Sequence, residues 1–441
     1  MSGLYCGVDV GSTNIKVVLV DEAAGVIARR RRPTPRLGRD APNARAGEAD
    51  PLVLLRALED MIIDAWQDAA GGRPISAIAA AGVGEDGCLV DAALRPLSTV
   101  IPWFDDRAAA EADELAAGHD CADVTGLAFE PTRTAAKWLW IARHRPVPEA
   151  AGWIALTDFP AASWSGRAFL SETLAARTAC YDIAARAFRD DLLAAARAPA
   201  LPPVLPAGET VGIMRPGRLT EAGAATAATR LVAGGHDHPV AASVAHRLDP
   251  AAIVDSLGTA ELVYGETDRS VPPRPDIVRS VSVLRRGREA RFKVFEFAAA
   301  LAPLRIATPT GDLLSDLFAA AEIPVDTAPA IDPTDHAAVA AALASADERG
   351  ARRIAAAVLV ACARITAGIL DDLAASGVGD GPLFATGGWS RSDALMRLRA
   401  DVLGRPIRRI DEPELAALGA ALIAGARPDL ARMLKVGEIV A

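Results

Sequence analysis

The chain opens on short apolar runs separated by small polar turns. Leu4–Val10 is apolar with Val8 and Val10 in alternation, Gly11-Ser12-Thr13-Asn14 interrupts it, and Ile15–Val20 resumes it. Asp21–Gly25 then turns the chain into Val26–Ala28. Runs this short, bounded by Gly, Ser, Asn and Asp, predict a three-strand meander with no room for a helix after the first turn. From Arg29 to Asp50 the sequence shifts to Arg, Pro and Gly, which predicts an exposed connection, with the run Arg29–Arg32 as a solvated strand end. Asp50-Pro51 then gives a capping residue followed by proline at the first helical position. Leu52, Leu55, Leu58, Ile62 and Trp66 follow at helical spacing and predict one amphipathic helix to about Asp68. Ile75–Val83 predicts a buried strand, and Arg133–His144 and Ala150–Trp164 predict helices with Trp138, Trp140 and Trp153 in the core.

The second half repeats the opening. Ala252–Asp255, a Gly258-Thr259 turn and Ala260–Tyr264 predict strand, turn, strand again, with the two turns 247 positions apart. Helical patterns follow at 311–321, 336–346, 350–375, 391–403 and 413–425, and Pro382–Ala385 is a short strand entering Thr386-Gly387-Gly388. The Pro- and Gly-rich stretch Pro202–Gly217 ends a helical region. The pattern predicts an internal duplication: two α/β lobes, residues 1–228 and 229–441, each opening with a β-turn-β cradle.

Composition narrows the function. With 441 residues, 51% of them hydrophobic, the chain buries large cores rather than remaining disordered. Lys and Arg number 47 against 56 Asp and Glu, so no basic surplus exists to neutralise nucleic-acid phosphates. The most apolar stretches, Ile354–Ala363 and Leu415–Ala426, fall short of the roughly 20 residues a membrane span requires. Asp9 and Lys16 interrupt what would be the apolar region of a signal peptide. Five scattered Cys without a CxxC pair are expected to be free thiols in a reducing cytoplasm.

Four stretches carry candidate chemistry. In Asp9-Val-Gly11-Ser12-Thr13-Asn14-Ile-Lys16, an acid ends a strand, glycine lets backbone N–H groups approach phosphate oxygens, and Lys16 adds charge. It is not a Walker loop, because GxxxxGK[ST] is absent and a strand follows. Gly82-Val-Gly84-Glu85-Asp86-Gly87 matches GxGxxG, but the strand and turn signals after it contradict the helix a dinucleotide fold needs. His236-Asp237-His238 follows an apolar strand. Adjacent side chains on an extended chain point in alternate directions, which disfavours a metal site; a general base with flanking imidazoles and a helix cap are the other two readings. Trp103-Phe-Asp105-Asp-Arg107 sets an aromatic face beside carboxylates and a guanidinium, a combination suited to polyhydroxylated ligands.

In this order the pieces resemble the FGGY family of carbohydrate kinases, within the sugar kinase and actin superfamily. Asp9–Lys16 resembles its first phosphate motif, Ile101–Arg107 its sugar-side W-x-D-x-R element, and Gly235-His-Asp237 the segment carrying its catalytic aspartate. Ser256-Leu-Gly258-Thr259 resembles the second phosphate motif. Thr386–Ser392, Ala400–Gly404 and Glu414…Ala421 resemble the adenosine motif and closing helix. The resemblance implies an actin-like (ribonuclease H-like) α/β fold of two lobes, mixed sheets flanked by helices, with the active site in the cleft between them. It implies phosphorylation of a sugar or polyol hydroxyl by ATP with Mg²⁺. Asp237 would be the general base. Glu85, Asp86, Trp103, Asp105, Arg107, His236 and His238 would bind the sugar, and Gly11, Ser12, Thr13, Asn14, Lys16, Gly258, Thr259, Gly387, Gly388 and Ser392 would bind ATP. Asp9 and Asp237 would meet the metal. A homodimer is a further expectation. The sequence departs from the family where Glu85-Asp86 replaces an amide-and-histidine segment, where His238 follows the catalytic aspartate, and at Arg397, where Gln is common. The other reading is a non-catalytic actin-like switch or filament protein.

Overall fold

The computed structural model describes residues 3–38, 47–148, 151–269, 271–272, 274, 276–308, 311–320, 323 and 331–440. The described residues form two compact units. The first comprises Met1–Arg247, Arg279–Glu289 and Glu414–Met433; the second comprises Leu248–Val278, Ala290–Pro413 and Leu434–Ala441. The division therefore does not fall at 228/229, because the strand that follows belongs to the first sheet.

In the first unit β1 (Leu4–Val10), β2 (Asn14–Asp21) and β3 (Gly25–Pro33) form the expected antiparallel meander. β3 runs on through Arg29–Arg32 as a paired edge strand, with Arg29, Arg31 and Arg32 exposed and Arg30 Nε 2.6 Å from Asp64. Basic side chains on an edge discourage pairing with another chain. Residues 39–46 of the connection lie outside the described residues; Thr34, Glu48 and Ala49 on either side are buried, not exposed as expected. Helix α1 (Pro51–Ala69) starts where the sequence predicts, with Asp50 Oδ1 accepting from the Leu52 N–H at 2.8 Å. Its buried face is Leu54, Leu58, Met61, Ile62 and Ala65, while Leu52 is half exposed, so the stripe is rotated from the one read in the sequence.

β4 (Ala77–Gly82) lies parallel to β1. β5 (Gly87–Val90) pairs antiparallel with β6 (Gly152–Ala155), so strand follows the GxGxxG run and not helix. β6 also corrects the helical expectation for Ala150–Trp164: Trp153 and Ile154 are buried in a strand, and only α3 (Phe159–Ser165) is helical there. Helix α2 (Thr134–His144) precedes it. Ala150 itself lies outside the described residues. Trp138 and Trp153 meet edge to face at 5.3 Å in the core, whereas Trp140 lies under Arg107 and Arg145. β7 (Thr210–Ile213) and β8 (Arg230–His236) complete the sheet in the order β7-β8-β4-β1-β2-β3, and α4 (Asp237–Leu248) leaves the end of β8.

In the second unit, β9 (Ile253–Leu257) and β10 (Glu261–Thr267) form the second hairpin. With β11 (Val278–Val281), β12 (Glu289–Phe295), β13 (Leu383–Thr386), β14 (Ile407–Ile410) and β15 (Val436–Ile439) they make a sheet ordered β11-β12-β10-β9-β13-β14-β15. Helices α5 (Glu348–Ala375) and α6 (Asp393–Leu403) cover it. The other expected helices are present as Leu313–Ala319 and His336–Ala344, with residue 321 outside the described residues. α5 is longer than its apolar stretch suggested, long and apolar enough to span a membrane, yet 56% of its apolar window is packed inside the unit.

Helix α7 (Leu415–Ala424) returns to the first unit and lies on β1 and β4. Close approach is possible because the facing residues are small: Gly7 on β1, and Ala77, Ala79 and Ala81 on β4. A Cβ on Gly7 would fall 1.8 Å from the Ala417 carbonyl oxygen.

Candidate active site

The site residues of the first unit cluster at the carboxyl ends of β1, β4 and β8. Alternation puts Asp9 on the Gly7 face of β1, towards the start of α7, and antiparallel register sets Lys16 opposite it. Lys16 Nζ is 2.7 Å from Asp9 Oδ2 and 3.7 Å from Glu414 Oε2. Asp9 is buried and its Oδ1 has no hydrogen-bond partner. Burial lifts its pKa to about 6, against Lys16, with Asp237 and Glu414 adding repulsion. The β1–β2 turn is anchored through its carbonyls: Thr34 Oγ1 donates to Gly11 O at 2.6 Å, Thr34 N to Thr13 O at 2.9 Å, and Arg36 to Ser12 O at 3.2 Å.

β8 reaches the site through glycine. A Cβ on Gly234 would lie 1.9 Å from Ala80 O, and Gly235 (φ +151°) would put one 2.1 Å from Thr173 Oγ1. The strand bulges there, which aims His236 and Asp237 out of the sheet. Asp237 Oδ1 accepts from the His238 N–H at 2.7 Å and lies 3.3 Å from His236 Nε2 and 3.8 Å from His238 Nε2. Burial raises its pKa, but His238, His236 and Lys16 outweigh that and hold the carboxyl below its ordinary value. His236 is the reverse: burial drops its pKa to about 4, so the ring is neutral at pH 7, and its Nδ1 is buried without a partner.

After β4 come two carboxylates of different character. Glu85 Oε1 is gripped by Arg133 (2.9 Å) and by Arg177 Nε (2.9 Å) and Nη2, which overcome burial and bring its pKa to about 2. Asp86 is wholly buried and neither oxygen makes a close hydrogen bond. The Arg36 guanidinium stands 3.7 Å off, and burial pushes the Asp86 pKa up to about 6 against Lys137, Arg36 and the Trp103 amide. Lys137, buried with Nζ on Pro102 O at 2.8 Å, is brought down to about 8 by burial. Trp103 is 41% exposed and meets Phe104 edge to face. Arg107 chelates Asp105 (2.7 and 2.6 Å) and reaches Glu48 at 2.6 Å with its side chain almost fully buried, so its donors face protein and not solvent.

The second unit carries the remaining residues. Gly258-Thr259 is the β9–β10 turn. Gly387 (φ +91°) would set a Cβ 2.4 Å from Leu257 O, so glycine is required for that loop to pass the strand end. Trp389 Nε1 donates to Gly258 O at 2.9 Å. Ser392 caps α6, its Oγ accepting from the Leu395 N–H. Sequence reading missed Arg36, Glu48, Arg133, Lys137 and Arg177. A signal existed for Lys137: the chain has four lysines, at 16, 137, 293 and 435, so lysine in an apolar helix stands out.

Among the described residues no group of three or more His, Cys, Asp or Glu is arranged to hold a metal ion. A divalent cation bridging phosphate oxygens needs less from the protein, one or two carboxylates. The buried, unpartnered Asp9 Oδ1, with Asp237 and Glu414 near enough that carboxylates outnumber Lys16, fits such a cation.

Known proteins resemble this chain in sequence and in fold. A curated xylulose kinase from Escherichia coli (strain K12) is 28% identical over 270 residues, 60% of this chain; the match spans about half, 54%, of that relative's length. A glycerol kinase from Gloeobacter violaceus is 28% identical over 451 residues, 96% of this chain and 88% of its own. The crystal structure of xylulose kinase from Rhodospirillum rubrum superposes with a TM-score of 0.83 at 23% identity, covering 99% of this chain and 94% of that one. The model of the FGGY family N-terminal domain matches residues 4–243 and that of its C-terminal domain residues 289–427. With both domain models matched in order over most of its length, the chain belongs to the FGGY family of carbohydrate kinases.

Proposed function

We propose that this chain transfers the γ-phosphoryl group of ATP to a hydroxyl of a small sugar or polyol, with Asp237 as general base. The observation that carries the reading is Asp237 itself: an ionised carboxylate, a quarter exposed, at the end of a buried strand between two imidazoles. A base must be ionised before the reaction and open to the hydroxyl it deprotonates, and Asp237 meets both conditions. It takes the hydroxyl proton as the oxygen attacks the γ-phosphorus in line; the bond to the β–γ bridging oxygen breaks and ADP leaves. Neutral His236 orients the carboxylate, and its buried Nδ1 remains available to a substrate hydroxyl.

Asp86 and Asp105 accept sugar hydroxyls, Trp103 covers a C–H face, and His238 reads the hydroxyl nearest Asp237. Arg107 acts by holding Asp105, and Arg133 and Arg177 by holding Glu85. Gly11, Ser12, Thr13 and Asn14 from one hairpin and Gly258 and Thr259 from the other meet phosphate oxygens, while Gly387 and Gly388 admit the adenosine. Lys16, neutralised largely by Asp9, sets that carboxylate's position. Asp9 and Asp237 would hold Mg²⁺, which when bound would supply charge neutralisation on the phosphates.

The test is coupled ADP release with Mg-ATP across ketoses (xylulose included), polyols (glycerol included), aldoses and sugar acids. Asp237→Asn is expected to lower turnover at least about 10²-fold with sugar binding retained. Near-normal turnover in that variant would remove the base from the mechanism. Silence over the whole panel, with ATP still raising the melting temperature, favours the non-catalytic switch.

A further inference from the structure

The second unit buries a charge cluster that neither the phosphate motifs nor the sugar residues account for. Alternation places Asp255 on the same face of β9 as Leu257, and the register sets Leu257 opposite Glu261. The two carboxylates thus share one face, one on each leg of the Gly258–Thr259 turn. Both are fully buried, as is Arg399, which reaches them from α6. Its Nη2 lies 2.6 Å from Asp255 Oδ2, 2.7 Å from Glu261 Oε1 and 2.9 Å from Thr366 Oγ1. Thr366, on α5, donates to Glu261 Oε1 at 2.6 Å, and the ring of Phe297 lies 5.9 Å from the guanidinium carbon. The turn's own carbonyls are tied as well, Gly258 O by Trp389 Nε1 (2.9 Å) and Thr259 O by the Ala298 N–H (3.0 Å).

A buried ion triad is a poor device for stability, since apolar packing of the same volume often serves better. What a planar guanidinium supplies is direction: Nη2 meets both carboxylates while Nη1, in the same rigid plane, lies 3.4 Å from Glu261 Oε2, an orientation that a freely rotating ammonium does not fix. We propose that Arg399 is a positioning residue for phosphoryl transfer, pinning Asp255 and Glu261 so that the Gly258–Thr259 turn is held in the form that receives the nucleotide phosphates. The proposal rests on the reading of that turn as a phosphate site.

Charge gives it a second handle. Burial, with Glu261 beside it, raises the Asp255 pKa to about 7 despite Arg399. The groups facing it are Arg399 from α6, Glu261 from β10, and Thr366 and Cys362 from α5, while β13 presents Ala385 at the same register. Ionisation of Asp255 adds a negative charge beneath a turn that must accept an anion.

The experiment uses the full chain, with initial rates against ATP and against the sugar and with calorimetric titration of ADP. Arg399→Lys is expected to raise KM for ATP roughly tenfold while KM for the sugar stays within about twofold, a split that general loosening of the fold would not produce. In Asp255→Asn the rise in KM for ATP between pH 6 and 8.5 should be smaller than in the wild type, which carries the same ionisation of ATP itself. This second variant keeps the test decisive if Arg399→Lys does not fold. A wild type that binds neither ATP nor ADP overturns the phosphate reading and the clamp with it. Normal nucleotide binding with an unchanged KM in folded Arg399→Lys, or an unchanged pH slope in Asp255→Asn, overturns the clamp alone.

Discussion

Asp86 shows how chemistry and folding compete at one residue. A wholly buried carboxylate without close hydrogen bonds is costly, and a fold keeps one where something else supplies its donors. Two adjacent substrate hydroxyls are suitable donors, which is why Asp86 and not the arginine-saturated Glu85 is expected to govern sugar affinity. Asp86→Asn should raise KM for the sugar about tenfold or more while KM for ATP changes less than about twofold; equal changes in both constants would place Asp86 outside the sugar site. Asp9, Asp86 and Asp237 could be singled out from the sequence because each stands at or just past the end of an apolar strand. Arg133 and Arg177 could not. Their role comes from converging on Glu85 from the residue before α2 and from a short helical turn, 48 and 92 positions away, and nothing local marks such a meeting.

At the scale of elements, local signals were read where they are self-contained and misread where tertiary contact decides. The Asp50-Pro51 cap and the β1–β2 hairpin depend on neighbours in sequence, and both stand where expected. β6 was read as helix because Ala, Trp, Ile and Leu serve either state, and only pairing with β5 makes it a strand. The face of α1 slipped because it is Leu54, Met61 and Ala65 that are buried where the helix packs on β2 and β3, a choice the run of leucines does not encode. The closing helix α7 depends on Gly7, whose lack of a side chain lets the helix backbone touch the central strand. Gly7→Ala should therefore displace α7 and cost about 2 kcal/mol or more of stability, measured by denaturant titration. A loss below about 0.5 kcal/mol would mean that β1 and α7 adjust freely.

At the scale of the whole molecule, the two sheets repeat one scheme. The order β3-β2-β1-β4-β8-β7 corresponds to β12-β10-β9-β13-β14-β15, with the same antiparallel hairpin, two parallel neighbours and antiparallel edge in each. Both copies keep buried carboxylic acids, and these give the molecule a common pH response. Burial raises Asp158 to about 7 although Ser171 donates to it twice at 2.6 Å, and Asp255 likewise stands near 7. Acids whose folded pKa exceeds the unfolded value bind protons more tightly when folded, so the stability they confer is present at low pH and lost as pH rises towards the folded pKa. Two other groups shape the limits of the window. His236, depressed to about 4, lowers stability chiefly below its unfolded value near 6.5, and Lys137, depressed to about 8, begins to add stability as pH approaches 8, so both oppose the aspartates weakly at the two ends of the interval. Glu85, depressed to about 2, contributes stability above its unfolded value and is constant across the range. Between pH 6.5 and 8 Asp158 and Asp255 contribute most, with Asp9 and Asp86, raised to about 6, adding to them, so the melting temperature of the free protein should fall as pH rises. In Asp158→Asn the fall should be clearly smaller, since one of the two largest contributors is gone. A melting temperature that rises across this interval, or a slope identical in wild type and Asp158→Asn, would show that Asp158 is ionised throughout and that Ser171 fully offsets its burial.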